Sequence, residues 1–253
     1  MNFFFGIKND IFKSEITIPR FQNNGKSDPQ YNLYQIKIDS KKWIIKKLDN
    51  CELNNDFYLI KNDELDNDKI FFLATEDEIK KFDNNEILNL SNFTETSPAF
   101  RANLKVYISD GGFSSYQSEY PYNMIGKNGN ILTPTSSIAN KHLDKNYLIF
   151  KNIYKEPIQD KFYICFVDIK NKKLLEKVEM RTNYSNFLPI DKRLINPEIY
   201  IISDNFLGIP VFLSEHNNHL SLEHTHPPHT YILSDNKFEK ISKLKKEIYE
   251  IIN

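Results

Sequence analysis

Five of the six histidines of this chain lie in one short stretch, between Ser214 and His229, together with two carboxylates. Imidazole is the commonest transition-metal ligand in proteins, and it is the side chain whose charge changes near neutral pH. A cluster of this composition could hold a divalent metal ion or transfer protons. The residues concerned are Glu215, His216, His219, Glu223, His224, His226 and His229.

Strand geometry selects a subset of these histidines. We expect residues 220–226 to be extended, so that side chains alternate between the two faces of the strand and His224 and His226 point the same way. The Pro227-Pro228 pair that follows could return His229 to the same place as a third ligand. The sequence therefore predicts that His224, His226 and His229 bind a divalent Zn or Fe ion.

The same stretch allows two other interpretations. His224 and His226, with Glu223, could act as acid and base residues without a metal, although Glu223 faces away on a regular strand and needs a bulge to join them. The histidines could also be packed, hydrogen-bonded structural residues. His216 and His219 lie in the turn before the strand, at the opposite end from His226, so one ion cannot easily reach all five.

A second group of functional side chains follows Arg101, between residues 110 and 122, where hydroxyl, aromatic and amide side chains are unusually dense. Such a mixture can hydrogen-bond and stack a polar small molecule or a carbohydrate. The alternatives are a self-packed loop, and an internal ion pair for Arg101. The predicted substrate-binding residues are Arg101, Ser114, Ser115, Tyr116, Gln117, Glu119 and Tyr120.

Familiar catalytic and phosphate-binding motifs do not match these segments. The stretch that begins at Gly111-Gly112 is neither a Walker loop nor a dinucleotide glycine pattern, and the chain has no Gly-x-Ser-x-Gly around its serines. The histidine cluster lacks the His-Glu-x-x-His spacing of metalloproteases. The sequence thus marks candidate residues without naming a reaction.

Short strand patterns dominate the chain that must position these residues. Residues 33–38, 43–45, 57–60 and 70–73 predict an antiparallel meander, and residues 113–146 resemble a long loop. Thr75 and Glu78 form a capping box that predicts a short helix near 75–82, and apolar residues at helical spacing predict an amphipathic helix near 237–252. The expected fold class is α+β and β-rich, with a largely antiparallel sheet or sandwich.

Length and composition favour one globular domain. The 253 residues can bury a sizeable core, with a possible division near 91–98 that separates an N-terminal β part, 1–90, from a main β part, 99–253. The 33 basic and 34 acidic residues nearly cancel, which argues against nucleic acid or acidic membranes as partners, so that a basic face could exist only locally. With no secretion signal and no apolar span, we expect the cytoplasm, with Cys51 and Cys165 as unpaired thiols.

Two functions from different classes remain open on the sequence alone. In the first, segments 110–122 and 223–229 form one pocket of an enzyme that acts on a polar small molecule or carbohydrate, using a metal ion or acid-base chemistry. In the second, the protein is a non-catalytic glycan-binding, protein-binding or assembly module with structural histidines. The feature that separates them is a convergent acid, base or nucleophile.

Overall fold

The computed structural model describes residues 2–20, 26, 28–83, 86–90, 102–108, 111–125, 131–203, 205–224 and 232–253. The chain divides into two compact units. The first unit consists of Met1–Lys127, Ile153–Gln159 and Asn183–Ser185, and the second consists of Asn128–Asn152, Asp160–Thr182 and Asn186–Asn253. The possible division near 91–98 lies outside the described residues.

The first unit contains ten described strands and one short helix. The strands are β1 Asn2–Phe4, β2 Lys13–Pro19, β3 Asn32–Asp39, β4 Lys42–Lys47, β5 Glu52–Asn54, β6 Phe57–Ile60, β7 Ile70–Ala74, β8 Asn103–Tyr107, β9 Phe113–Gln117 and β10 Glu119–Pro121. Helix α1 is Glu76–Lys80. They form two five-stranded sheets with the orders β10-β1-β7-β3-β4 and β5-β6-β2-β8-β9.

The second unit contains eight described strands and the longer helix. The strands are β11 Leu132–Pro134, β12 Lys145–Lys151, β13 Lys161–Asp168, β14 Lys173–Arg181, β15 Ser185–Pro189, β16 Ile199–Ser203, β17 Ile209–His216 and β18 His219–His224, and β15 begins at Ser185 of the first unit. Helix α2 is Lys237–Ile252. Two four-stranded sheets result, with the orders β11-β16-β13-β14 and β15-β12-β17-β18.

The described part of the chain is β-rich, with few helices, and its strand pairs of known register are all antiparallel. This confirms the coarse fold class. The capping box also forms as predicted: the Glu78 backbone N–H donates to Thr75 Oγ1 at 3.3 Å, and the Thr75 N–H donates to Glu78 Oε2 at 2.7 Å. No helix among the described residues is long and apolar enough to cross a membrane.

Strand alternation builds the core of the second unit. Along β13, Ile164 and Phe166 enter a cluster that also takes Phe150 and Phe212 from the other sheet. Their neighbour Cys165 faces the opposite side of the strand, where it packs in a cluster with Ile248 of α2. Both faces of this sheet are therefore buried, one against the second sheet and one against the helix. Cys51 and Cys165 are free thiols, as predicted, and both are buried.

Two expectations about the strands were wrong. Residues 57–60 form β6, which pairs with β2 in a different sheet from β3, β4 and β7, so these four strands are not one meander. Residues 113–146 are not one long loop, because they contain β9, β10 and β11 and the start of β12. Apolar alternation marks a strand, but it does not specify which strand lies beside it.

Candidate functional site

The histidine stretch forms a tight hairpin between β17 and β18. Asn217 and Asn218 occupy its two-residue turn with φ of 47° and 62°, the left-handed values that a type I′ turn requires and that asparagine tolerates. His216 and His219 therefore lie directly opposite each other across the turn. The hairpin places both histidines, which are exposed, at the end of the strand pair.

His224 lies at the other end of the same strand pair, opposite Val211. It follows His219 by five residues on β18, a distance of about 17 Å at the usual rise per residue. This separation exceeds what side chains can bridge to a single ion. His216 and His219 are thus excluded from any metal site built around His224, as the sequence geometry indicated.

Glu223 and His224 point to opposite faces of β18. Glu223 is exposed and pairs in register with Phe212, whereas His224 is half-buried and pairs with Val211. The described segment holds no bulge that would turn Glu223 towards His224. The other predicted ligands, His226 and His229, lie outside the described residues.

No group of three or more metal-ligating side chains occurs among the described residues. The predicted Zn or Fe ion therefore stays a prediction that depends on His226 and His229 joining His224. If the three residues hold a divalent ion, purified protein should contain one zinc or iron per chain by elemental analysis, and His224→Ala should lose it. His216→Ala is the matched control, because it removes an imidazole that is too far away to contribute. Equal metal content in the two variants would contradict the site.

Asp144 holds the turn of this hairpin in place. Its Oδ2 accepts a hydrogen bond from the Asn217 backbone N–H at 2.9 Å and lies 3.3 Å from Nδ1 of His216. Beside it, Lys145 forms an ion pair with Glu215 at 3.2 Å. The backbone hydrogen bond from Asn217, with smaller contributions from His216 and Lys192, lowers the pKa of Asp144 below its ordinary value of 3.8.

This lowered pKa predicts how hairpin stability changes with pH. The carboxylate form contributes stability above the ordinary value of 3.8, and that contribution is lost as the pH falls through the lower folded-state pKa. Asp144→Ala should therefore reduce the thermal midpoint at neutral pH, and the difference from wild type should shrink towards zero in strong acid. Asp144→Asn keeps a hydrogen-bond acceptor for the Asn217 backbone N–H, so it should lower the thermal midpoint less than Asp144→Ala does. Circular-dichroism melts over this range provide the check, and a pH-independent difference would disprove the assignment.

The second predicted group of residues is extended rather than looped, so its side chains alternate between two faces. On β9, Ser114 and Tyr116 lie opposite the buried Val106 and Leu104 of β8. Ser115 and Gln117 point to the other, outer face of the sheet. Arg101 and Asp110 lie outside the described residues.

Glu119 and Tyr120 are buried within the first unit. Glu119 Oε1 accepts a hydrogen bond from the Ala102 backbone N–H at 3.1 Å, which ties β10 to the start of β8. Tyr120 is fully buried, and this burial raises the pKa of its hydroxyl, against a smaller effect of a hydrogen bond with the Ile153 backbone. These contacts support a structural role for both residues, and their assignment to substrate binding stays a prediction.

The outer face of the β2-β8-β9 strands carries a regular grid of polar and aromatic side chains. Cross-strand neighbours share a face of a sheet, so the register defines three rows. The rows are Lys13, Tyr107 and Phe113; Glu15, Lys105 and Ser115; and Thr17, Asn103 and Gln117. Hereafter this set of nine residues is called the outer face.

Lys105 lies at the centre of the outer face and fixes its neighbours. Its Nζ is 5.1 Å from the ring centroid of Phe113 and 5.3 Å from that of Tyr107. The same atom donates to Glu15 Oε1 at 3.1 Å. Cation-π attraction to both rings and the ion pair restrain the lysine together with the rings it touches. Phe113 nevertheless stays 65% exposed.

Most of the outer face was missed from the sequence. Of its residues, only Ser115 and Gln117 were predicted as ligand contacts. Phe113 lies within the predicted segment but was not among the predicted substrate-binding residues. The sequence does carry a signal for an exposed strand face. Within 103–107, polar or aromatic residues occupy every second position and alternate with the apolar Leu104 and Val106.

The two predicted segments belong to different units. Residues 111–122 are part of the first unit, and His224 is part of the second. The hypothesis that segments 110–122 and 223–229 form one pocket stays a prediction, and the outer face is a candidate site on its own.

Comparisons with known proteins give no further guide to function. The chain matches no family model, no curated protein and no solved structure.

Proposed function

We propose that this protein is a non-catalytic binding module that takes a carbohydrate on the outer face. The observation that carries the proposal is the exposed ring of Phe113, which lies beside Tyr107 and is restrained through Lys105. An exposed ring that is restrained beside a second ring and bordered by polar side chains offers a surface on which a ligand gains by burying apolar area. The restraint also lowers the conformational entropy that binding would cost.

The polar side chains around the rings suit a sugar ligand. A pyranose has an apolar face of C–H groups that can stack on an aromatic ring, while its hydroxyl groups need donors and acceptors at the rim. Asn103, Ser115 and Gln117 supply amide and hydroxyl groups on the same face as Phe113. This combination supports carbohydrate over a purely apolar ligand.

The charged groups of the outer face argue against catalysis there. Glycoside hydrolysis uses a pair of carboxyl groups on opposite sides of the bond that is cleaved. Within the outer face the single carboxyl group is that of Glu15, and Lys105 already pairs with it. The enzyme alternative would have to rest on His224, His226 and Glu223 of the other unit.

An open strand surface favours an extended ligand. The face is built on β2, β8 and β9, with β9 at the edge of its sheet, so a chain of sugar units can cross it without entering a cavity. Binding by a few stacked units on an open surface is expected to be in the range of about 1 mM to 1 μM. Several units of a polymer would then add to the contact area.

The proposal is tested by affinity electrophoresis of the whole chain with a panel of soluble polysaccharides. Oligosaccharide fragments of each polysaccharide that binds are then titrated by calorimetry. Saturable binding without release of reducing ends is the expected result. Cleavage of the bound polymer would overturn the non-catalytic assignment. Failure of every neutral, acidic and basic polysaccharide to bind would overturn the choice of carbohydrate.

A further inference from the structure

One positive charge of the outer face is not compensated within the part of the chain that the structure describes. The side chains of the face that are charged at neutral pH are Lys13, Glu15 and Lys105. Lys105 Nζ donates to Glu15 Oε1 at 3.1 Å, so these two charges offset each other. Lys13 is exposed, and no ion pair or ring contact joins it to another described residue. Two lysines against one glutamate leave the outer face with a surplus of one positive charge, carried by Lys13.

Lys13 lies at the aromatic end of the outer face. It stands opposite Tyr107, which in turn stands opposite Phe113, so the three side chains form one row on one face of the sheet. Neighbouring strands are about 4.8 Å apart, which places the Lys13 backbone one spacing from that of Tyr107 and two spacings from that of Phe113. The flexible four-carbon stem of the lysine can bring its ammonium group to the border of the rings. The amides of Asn103 and Gln117 lie in the row farthest from this charge.

A uronic acid suits this combination of aromatic rings and a lysine. Its pyranose ring keeps a face of C–H groups that can stack on Phe113, as in a neutral sugar. Its carboxylate is attached outside the ring, and in a stacked unit it lies at the border of the aromatic surface, where Lys13 stands. A neutral hexose has a hydroxymethyl group in the same place, and a hydrogen bond from an ammonium group is stronger to a carboxylate than to a hydroxyl.

We propose that the ligand of the outer face is an acidic polysaccharide built from uronic acid units, with one carboxylate paired to Lys13. This inference rests on the proposed function, because stacking on Phe113 is what brings the sugar to the face. Glu15 stands two positions from Lys13 on the same side of β2, and it repels any further anionic group placed beside it. The face therefore suits a polymer with one carboxylate per sugar unit better than a densely sulfated one.

The charges of the outer face favour an acidic carbohydrate over a single-stranded nucleic acid. Both ligands are anionic and both can stack on aromatic rings, but a nucleic acid carries a phosphate at every unit and is held by a groove of several cations. The nine residues of the outer face include one surplus lysine and no arginine. Asn103 and Ser115 supply the amide and hydroxyl groups that sugar hydroxyls need.

The test titrates the full chain by calorimetry with oligosaccharides of galacturonate, glucuronate and alginate, each as the acid and after reduction of its carboxyl groups to primary alcohols. For the ligand that binds best, we expect the acid to bind about threefold to fivefold tighter than its reduced form at low salt, the size of one exposed ion pair. This preference should disappear as salt is raised. Lys13→Gln should bind both forms alike, and Lys13→Arg should keep the preference. Lys42→Gln is the matched control, because Lys42 is an exposed lysine on β4, in the other sheet of the same unit, and it should behave like wild type.

The possible failures of this inference and of the proposed function give different results. Equal binding of the acid and reduced forms to wild type would overturn the choice of an acidic ligand and leave carbohydrate binding intact. An acid preference that survives in Lys13→Gln would overturn the pairing with Lys13. Failure of both forms to bind would overturn the proposed function together with this inference. Tighter binding of single-stranded oligouridylate than of every uronate, weakened by Phe113→Ala and by Lys13→Gln, would assign the outer face to a nucleic acid instead.

Discussion

Phe113→Ala is expected to weaken carbohydrate binding about 30-fold, a loss of about 2 kcal/mol, which is the usual size of an aromatic anchor contribution. The ring provides the largest exposed apolar surface of the outer face and is 65% exposed. Its removal takes away the stacking surface for the sugar and leaves Lys105 in contact with Tyr107 and Glu15. Calorimetric titration with the best-binding oligosaccharide measures the change.

Phe238→Ala is the matched control for this experiment, because Phe238 is a second phenylalanine of nearly equal exposure, 64%, on the other unit. It should bind carbohydrate like wild type. Both variants should melt within about 2 °C of wild type, since neither ring is part of a buried core. If Phe113→Ala and Phe238→Ala reduce binding equally, or not at all, the outer face is not the site.

The elements of this fold that could be predicted are those encoded by neighbouring residues. The capping box at Thr75 and Glu78 depends on two side chains three positions apart, and the helix over 237–252 depends on apolar residues at a single period. The hairpin of β13 and β14 follows from two apolar-rich runs joined by a polar turn at residues 168–173. In each case the pattern and the contact lie in the same short stretch.

The candidate site depends on residues that are far apart in sequence. Glu15, Lys105 and Ser115 form one row only because β8 pairs with β2 on one side and with β9 on the other. Apolar alternation predicted strands without their order, so this row could not be assembled beforehand. The same limit caused β6 to be assigned to the wrong neighbours.

The histidine stretch was predicted in part, for a physical reason. A two-residue turn and strict alternation determine that His216 and His219 face each other and that Glu223 points away from His224. These relations are local. Whether an imidazole gains ligating partners depends on residues brought from elsewhere in the fold, which alternation along one strand does not specify.

Gly208→Ala is expected to destabilise the second unit by about 3 kcal/mol, at the upper end of the range for overpacking. A Cβ at this position would overlap with Cζ of Phe150 and would lie 2.6 Å from the backbone oxygen of Lys151. The oxygen belongs to β12, where Lys151 pairs with Ile209 of β17. Since a backbone atom in a paired strand cannot rotate away, the strands must separate locally.

Gly6→Ala provides the comparison, because there the nearest atoms belong to a side chain. A Cβ on Gly6 would meet Cδ2 of Leu65 at 2.5 Å, and a leucine can change rotamer where a strand cannot move. We therefore expect Gly6→Ala to lower the free energy of unfolding by a smaller amount, about 1 to 2 kcal/mol. In a double-mutant cycle, Leu65→Ala should partly relieve this loss. Urea unfolding of the single and double variants measures these differences. A smaller loss of unfolding free energy for Gly208→Ala than for Gly6→Ala would contradict this prediction. It would mean that β12 and β17 can separate at this point at little cost.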